Sequence, residues 1–477
     1  MPRRCDGSAV TELPPSEASA TSIGRPLAWL TGLGLVLRAL FLLLEPATHP
    51  VADERTWTNW ALEVLLSERV GLDPRRTRMI FYPPVYPYFI ALTYLPFGTL
   101  AAVKCAQVVV SAALIPAVGR VGALVFGPGV GLFAAALVTF YPDLIWYSAH
   151  FWSETVFLAL LWWAFERLII ADRSERFGAA LAAGVIWGAA ILTRETALYF
   201  TPFAALWLAW NRRGGILRGA AFLILALMTV APWTWRNAQV FPGEFVPVST
   251  AGGLNLWQGN AGIPRYEIYE LYDQVSGRVE QYKYARRKGL EVIWERQPTW
   301  LFEKLYDEMP RFWEADSLAI IHIQRGAYGP VRPIVAVASA FVLLLPYLLV
   351  LGFFALGVAG SRFDRTIGLL FFYLVFHNAL HIVTHGFARY RMPIMPVLFV
   401  FAAYGFMAWL AGELPEFSAR RKALFAVLTL TSGLLVAPSL YSHAHHRAFE
   451  LREPFTPVEA KPRARPPRSE IEVPPDS

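Results

Sequence analysis

Apolar residues run in long blocks along this chain, such as Leu27 to Leu44, Gly178 to Leu192 and Pro333 to Gly357, with almost no charge inside them. As helices rising about 1.5 Å per residue, blocks of roughly 18 to 20 residues cross a hydrocarbon core about 30 Å thick. The pattern predicts spanning helices near 27–44, 101–119, 129–147, 153–170, 178–193, 197–210, 219–235, 331–359, 366–384, 392–411 and 423–441, about eleven in all. Arg194 and Glu195 separate the fifth from the sixth. The stretch from Tyr82 to Phe97 is apolar too, but Pro83, Pro84, Pro87 and Pro96 suit a helix that lies along the membrane or dips into it.

Polar positions collect between the blocks. Two long polar stretches, 45–81 and 236–330, are large enough to build a site, and the second has helical periodicity around Tyr266 to Glu295 and Pro298 to Phe312. Amphipathic helices covering the outer membrane face are expected there. Residues 1–26 read as a disordered cytoplasmic N-terminus, 27–441 as one membrane domain, and 442–477, rich in proline and arginine, as a disordered tail.

Composition agrees with this arrangement: 55% of residues are hydrophobic and 17% charged, and the 17 Trp and 19 Tyr suit interfacial aromatic belts. The net charge of +7 is spread over short basic clusters between apolar blocks, not along one soluble face, which argues against a nucleic-acid partner. Those clusters, Arg120, Arg173 with Arg176, Arg212, Arg213 with Arg218, Arg362 with Arg365, and Arg420, Arg421 with Lys422, fall on one side if the proline-rich stretch does not span. The positive-inside rule makes that side cytoplasmic and puts both long polar stretches outside. Cys5 and Cys105 sit in a tail and an apolar run, so no structural disulfide is expected. The first apolar block reads as a retained anchor, because no short apolar core with a small-residue cleavage site precedes it. The expectation is a multi-pass protein of the plasma (inner) membrane with its site on the external or periplasmic side.

Three acids come to that outer level. Asp53 and Glu54 follow the first helix closely, and Glu154 opens the fourth behind Ser153. A carboxylate at the membrane surface can take the proton from an attacking hydroxyl or hold a metal beside a phosphate, although solvated loop acids and helix-start residues look the same in sequence. Arg194, Arg236, Arg389 and Arg391 lie at outer helix ends, against the positive-inside bias, and suit a phosphate as well as they suit a loop carboxylate. His377, His381 and His385 share one helix face over about 12 Å, which is too long for one ion and favours a polar face in the bundle.

Several stretches in order resemble the type C (GT-C) membrane glycosyltransferases of the protein O-mannosyltransferase and aminoarabinose transferase superfamily. They are Asp53-Glu54, Tyr82-Pro-Pro-Val-Tyr-Pro87, Tyr147-Ser-Ala-His-Phe-Trp-Ser-Glu154, Leu192-Thr-Arg-Glu195, Ala231-Pro-Trp-Thr-Trp-Arg-Asn237, Phe245-Val-Pro-Val-Ser-Thr-Ala-Gly-Gly-Leu-Asn-Leu-Trp-Gln-Gly-Asn260 and Arg389-Tyr-Arg-Met-Pro393. The resemblance implies an all-α polytopic GT-C fold and a glycosyltransferase that uses a polyprenyl-phosphate sugar donor, with membrane lipid around the donor tail. It implies Asp53, Glu54 and Glu154 as the catalytic acids, with Asp53 as base. Arg194, Arg236, Arg389, Arg391, Tyr82 and Tyr86 would meet donor phosphate or lipid, and Asn255, Trp257 and Asn260 would form a substrate loop. A divalent metal ion is the one cofactor implied, on Asp53 and Glu154. Aminoarabinose transferases carry a glutamate and a lysine where this chain has Phe81 and Tyr82, so a metal ligand and a phosphate contact of that branch are missing. A transporter or flippase of lipid-linked saccharide is the alternative; it would favour related halves and polar groups at the bilayer midplane.

Overall fold

The computed structural model describes residues 23–45, 50, 53–66, 81–210, 213–241, 243–412 and 417–445. Most of both expected tails, and most of the 45–81 stretch apart from 53–66, lie outside the described residues. Within the described residues every regular element is helical. α1 (Gly24–Leu44) leads to α2 (Asp53–Leu66) and the proline-rich α3 (Val85–Tyr94). Next come α4 (Leu100–Phe126), α5 (Pro128–Phe140), α6 (Pro142–Ala149), α7 (Glu154–Arg173), α8 (Phe177–Ile191), α9 (Thr196–Ala209) and α10 (Gly215–Val240). A cap of shorter helices follows: α11 (Ala251–Asn260), α12 (Arg265–Asp273), α13 (Arg278–Glu295), α14 (Trp300–Trp313) and α15 (Leu318–Gln324). α16 (Pro333–Gly360), α17 (Arg365–Val383), a 3-10 segment (Ala388–Ile394), α18 (Met395–Leu410) and α19 (Ala419–His445) complete the described chain.

Each of the eleven apolar blocks holds a helix, but fewer have the length and composition of a full membrane span. Among the described residues seven qualify, namely α1, α4, α10, α16, α17, α18 with the segment before it, and α19. The bent pair α5 and α6 makes an eighth, turning by 52°. α8 and α9 are apolar but run only 15 and 14 residues, and α7 carries Glu166, Arg167, Asp172 and Arg173 in its second half. The chain is a multi-pass, all-helical membrane protein.

The bend between α5 and α6 has a local cause. Pro142 has no N–H to give the carbonyl of Val138, so the helix cannot continue through it. Arg38, fully buried in α1, supplies the missing donors: Nη2 lies 3.0 Å from the Val138 carbonyl and Nη1 3.4 Å from that of Thr139, while Nε donates to Ser111 Oγ at 2.8 Å. An arginine inside an apolar helix is thereby satisfied by backbone that the proline left open.

Small residues bring other spans close. A Cβ on Gly357 of α16 would sit 1.9 Å from the Phe401 carbonyl of α18, and one on Gly405 would meet Phe353 at 2.2 Å, so the two backbones touch in the way small-residue interfaces allow in lipid. α4, α7 and α18 form the best-buried part of the bundle, whereas α1 and α19 lie at its edge and leave Trp29, Leu43, Leu430 and Leu434 exposed to lipid.

Charge is segregated along α7. Its start holds Glu154 against Arg194, and its end holds Glu166 against Arg120 and Arg167, with Asp172 against Arg365 of α17. Along the helix these clusters lie roughly 18 to 27 Å apart, so the bundle has one acid–arginine end at Glu154 and another, where the basic clusters of the sequence gather, opposite. The cap lies at the Glu154 end.

Candidate active site

Asp53 and Glu54 open α2 and point apart. Asp53 keeps its carboxyl 43% exposed and accepts from Arg389 Nη1 at 2.6 Å. Glu54 is buried: Oε1 accepts from the Phe151 N–H at 2.9 Å and Oε2 lies 3.7 Å from His322 Nε2. Burial opposes ionisation of Glu54, but the His322 imidazole, the charge of His150 and the Phe151 N–H outweigh it and hold the carboxyl below its ordinary range. The neighbouring carboxylates therefore divide their work, one facing the site and one tying α2 to the Tyr147–Glu154 turn.

That turn is braced from several sides. Gln107 Nε2 of α4 donates to the His150 carbonyl at 2.6 Å, and Tyr86 donates to Gln107 Oε1 at 2.5 Å. His150 Nε2 lies 3.0 Å from Glu45 Oε1, Tyr328 donates to the same carboxylate at 3.0 Å, and Trp146 Nε1 donates to the Tyr328 hydroxyl at 2.8 Å. The turn so fixed presents Glu154, whose Oε1 sits 2.8 Å from Arg194 Nη1; Arg194 also donates to Ser153 Oγ at 3.1 Å.

Arg389 comes from the far end of the sequence. Its guanidinium lies 5.1 Å from the Trp152 ring, 5.0 Å from that of Tyr390 and 5.9 Å from that of Phe387, an aromatic box that holds a cation without neutralising it. Asp53 and Glu154 both act on its charge, so Arg389 lies within electrostatic reach of the two acids. α17 ends at Val383, so only His377 and His381 share its face and His385 follows it; all three hold Tyr390, with His377 Nε2 2.9 Å from its carbonyl, His381 stacked on its ring at 4.6 Å and His385 Nε2 3.1 Å from its hydroxyl. Arg391, two residues on from Arg389, turns the other way.

Residues 82–235 match the family model described as dolichyl-phosphate-mannose-protein mannosyltransferase, which covers less than half of the chain. The fold matches the crystal structure of the Archaeoglobus fulgidus oligosaccharyltransferase in the apo form, with TM-score 0.50 and 14% identity over 90% of this chain and 56% of that one. The chain has a type C glycosyltransferase fold. The archaeal oligosaccharyltransferase AglB from the same organism, in complex with an inhibitory peptide and a dolichol-phosphate, aligns with TM-score 0.48 and 14% identity over 90% of this chain and 56% of that one. A complex of the A. fulgidus enzyme with Zn and sulfate aligns with TM-score 0.46 and 14% identity over 90% and 53%. This chain thus spans little more than half the length of those proteins. No curated protein sequence matches it.

Within this type C fold several residues expected at the site have other work. Arg391 is 2% exposed, stacks 4.0 Å from the Tyr347 ring and donates to the carbonyls of Glu314 and Asp316, which makes it a strut of the loop before α15. Tyr86 is wholly buried on Gln107, and Tyr82 packs against Trp57 and Phe81 beside Asp53. Trp257 faces the cap interior against Tyr284, and Asn260 bonds the Leu256 and Val383 carbonyls and the Trp300 indole; Asn255 is half-buried on the same helix. Arg236 stacks 4.7 Å from the Trp233 ring, donates to Asn237 Oδ1 at 3.0 Å and lies beside Tyr88.

The expected metal ligands Asp53 and Glu154 each face an arginine. Among the described residues no group of three or more His, Cys, Asp or Glu side chains converges closely enough to hold an ion. These side chains do not form a metal cage, and no chemical step is routed through one. The sequence did not single out Glu45, His322 or Tyr328, although two of their partners, Glu54 and His150, lie in the stretches that carry the resemblance.

Proposed function

We propose that this protein moves a sugar from a polyprenyl-phosphate donor to an acceptor hydroxyl at the non-cytoplasmic face of the plasma membrane. The observation that carries the proposal is a half-exposed carboxylate, Asp53, held by an arginine in an aromatic box next to a second acid–arginine pair at one end of the bundle. The family match over residues 82–235 and the type C fold support the same reading.

Asp53 accepts the proton of the acceptor hydroxyl as its oxygen attacks the anomeric carbon. The bond from that carbon to the phosphate oxygen breaks, and the lipid phosphodiester leaves as a phosphomonoester with one further negative charge. Arg389, and Arg194 beside Glu154, stabilise that charge as it develops. Displacement in line with the leaving phosphate inverts the anomeric centre. Glu54 acts by holding α2 against the Phe151 turn, so that Asp53 meets the acceptor at a fixed position.

Arg389→Ala should lower turnover by roughly 10²–10³-fold, the scale for losing one preorganised charge donor. Arg236→Ala should cost less, and Arg420→Ala, in a basic cluster assigned to the other face, nothing measurable. Equal losses in all three, measured as transfer from a labelled polyprenyl-phosphate sugar in detergent, would reject the phosphate assignment.

A further inference from the structure

The turn that delivers Arg389 is gripped by an ion pair from the cap. Lys304 and Glu308 lie one helical turn apart on α14, both below one-tenth exposed, with Nζ 3.4 Å from Oε1. Lys304 donates to the Gly259 carbonyl at the end of α11, at 2.6 Å, and to the Thr384 carbonyl after α17, at 3.0 Å. Glu308 Oε2 accepts from the Gly386 N–H at 2.6 Å. The approach has no slack: a Cβ on Gly259 would sit 1.5 Å from the Thr384 carbonyl oxygen, and one on Gly386 would sit 2.1 Å from the Glu308 carbonyl oxygen. Phe312, one turn further along α14, stacks 5.9 Å from His381 of the ladder that holds Tyr390.

A buried lysine that spends its donors on two carbonyls of different segments fixes those segments relative to each other, because leaving either carbonyl unbonded costs free energy. Residues 384–386 are thus pinned just before Phe387, the ring that borders the Arg389 guanidinium. We infer that Lys304 and Glu308 are positioning residues for the donor phosphate: they set where Arg389 stands by clamping the Thr384–Gly386 turn to α11 and α14. This rests on the donor reading above.

The test is a near-isosteric, charge-neutral double variant, Lys304→Met with Glu308→Gln, assayed with labelled polyprenyl-phosphate sugar in the full-length protein. No lone buried charge remains, and the glutamine amide oxygen can still accept from the Gly386 N–H, but the methionine thioether gives nothing to the carbonyls of Gly259 and Thr384. The expected result is a folded protein with a lowered thermal midpoint, an unchanged acceptor KM and a donor KM raised roughly tenfold. Lys304→Arg should restore most of the donor affinity. Gly386→Ala, which pries the turn from α14 without touching either charge, should give the same donor-selective loss if the double variant fails to fold. Arg389→Ala separates this inference from the one beneath it. A raised donor KM in Arg389→Ala with an unchanged one in both clamp variants overturns the clamp alone. Donor KM and turnover both unchanged in Arg389→Ala overturn the donor reading and the clamp with it.

Discussion

Asp53 and Glu54 are the same chemistry in sequence and opposites in space, since one carboxyl meets solvent and Arg389 while the other is closed inside on a backbone N–H. The pair was legible as acid close behind the first helix; which member is enclosed was not, because a helix's first turn sets neighbouring side chains about 100° apart and only the Phe151 turn decides which points inward. Likewise Arg389 and Arg391 read alike, and packing against Tyr347 separates them. At this scale Asp53→Asn should cut turnover by about 10²–10⁴-fold with an unchanged thermal midpoint. Glu195, next to the site arginine Arg194, gives a pH prediction. Desolvation pushes its carboxyl up to about 7, against the smaller opposing effect of Ser249 at 2.7 Å. The folded protein therefore holds a proton that the unfolded chain releases between its ordinary value of 4.5 and 7, so folding stability falls as pH rises through that window. Glu195→Gln should flatten that part of the profile of thermal midpoint against pH; an unchanged slope would mean the carboxyl is ionised throughout.

The apolar blocks were readable as helices because each is long, uniform and bounded by charge, and all eleven hold one. The break at Pro142 was not read, since an apolar run across a proline can be one kinked span or two helices, and Arg38 of α1 completes the second solution. Arg38→Met should lower stability by roughly 1–3 kcal/mol, the cost of leaving buried carbonyls unpaired; a thermal midpoint equal to wild type in the same detergent would count against the brace. α14 shows the other side of the same problem. Its periodicity marked it as amphipathic, but Lys304 and Glu308 of its polar side are buried along with Phe312 and Trp313, while Leu301, Phe302, Leu305 and Tyr306 are exposed. Such a helix at the cap belongs in the lipid interface. Spin labels at 302 and 306 in bilayers should collide with oxygen and not with a water-soluble nickel chelate, and the reverse preference would place α14 in water.

Across the whole molecule, acids and arginines gather at two ends of α7 and the cap covers one of them. The basic clusters read from sequence assign the other end to the cytoplasm. In a protein with Cys5 and Cys105 replaced by serine, Ile263→Cys in the exposed cap should react with a membrane-impermeant maleimide on intact cells, and Arg362→Cys only after permeabilisation; the opposite pattern would invert the topology. The convergence of residues 53, 154, 194 and 389 could not be read from spacing, because it depends on how distant helices pack, and it is the feature on which the proposed reaction turns. The most direct test of that reaction follows lipid-phosphate release from a panel of labelled polyprenyl-phosphate sugars, by wild-type and Asp53→Asn protein with a crude acceptor extract. The account predicts release from at least one donor by wild type and its loss in Asp53→Asn. Equal release by both proteins, or none from any donor by folded wild type, would contradict it.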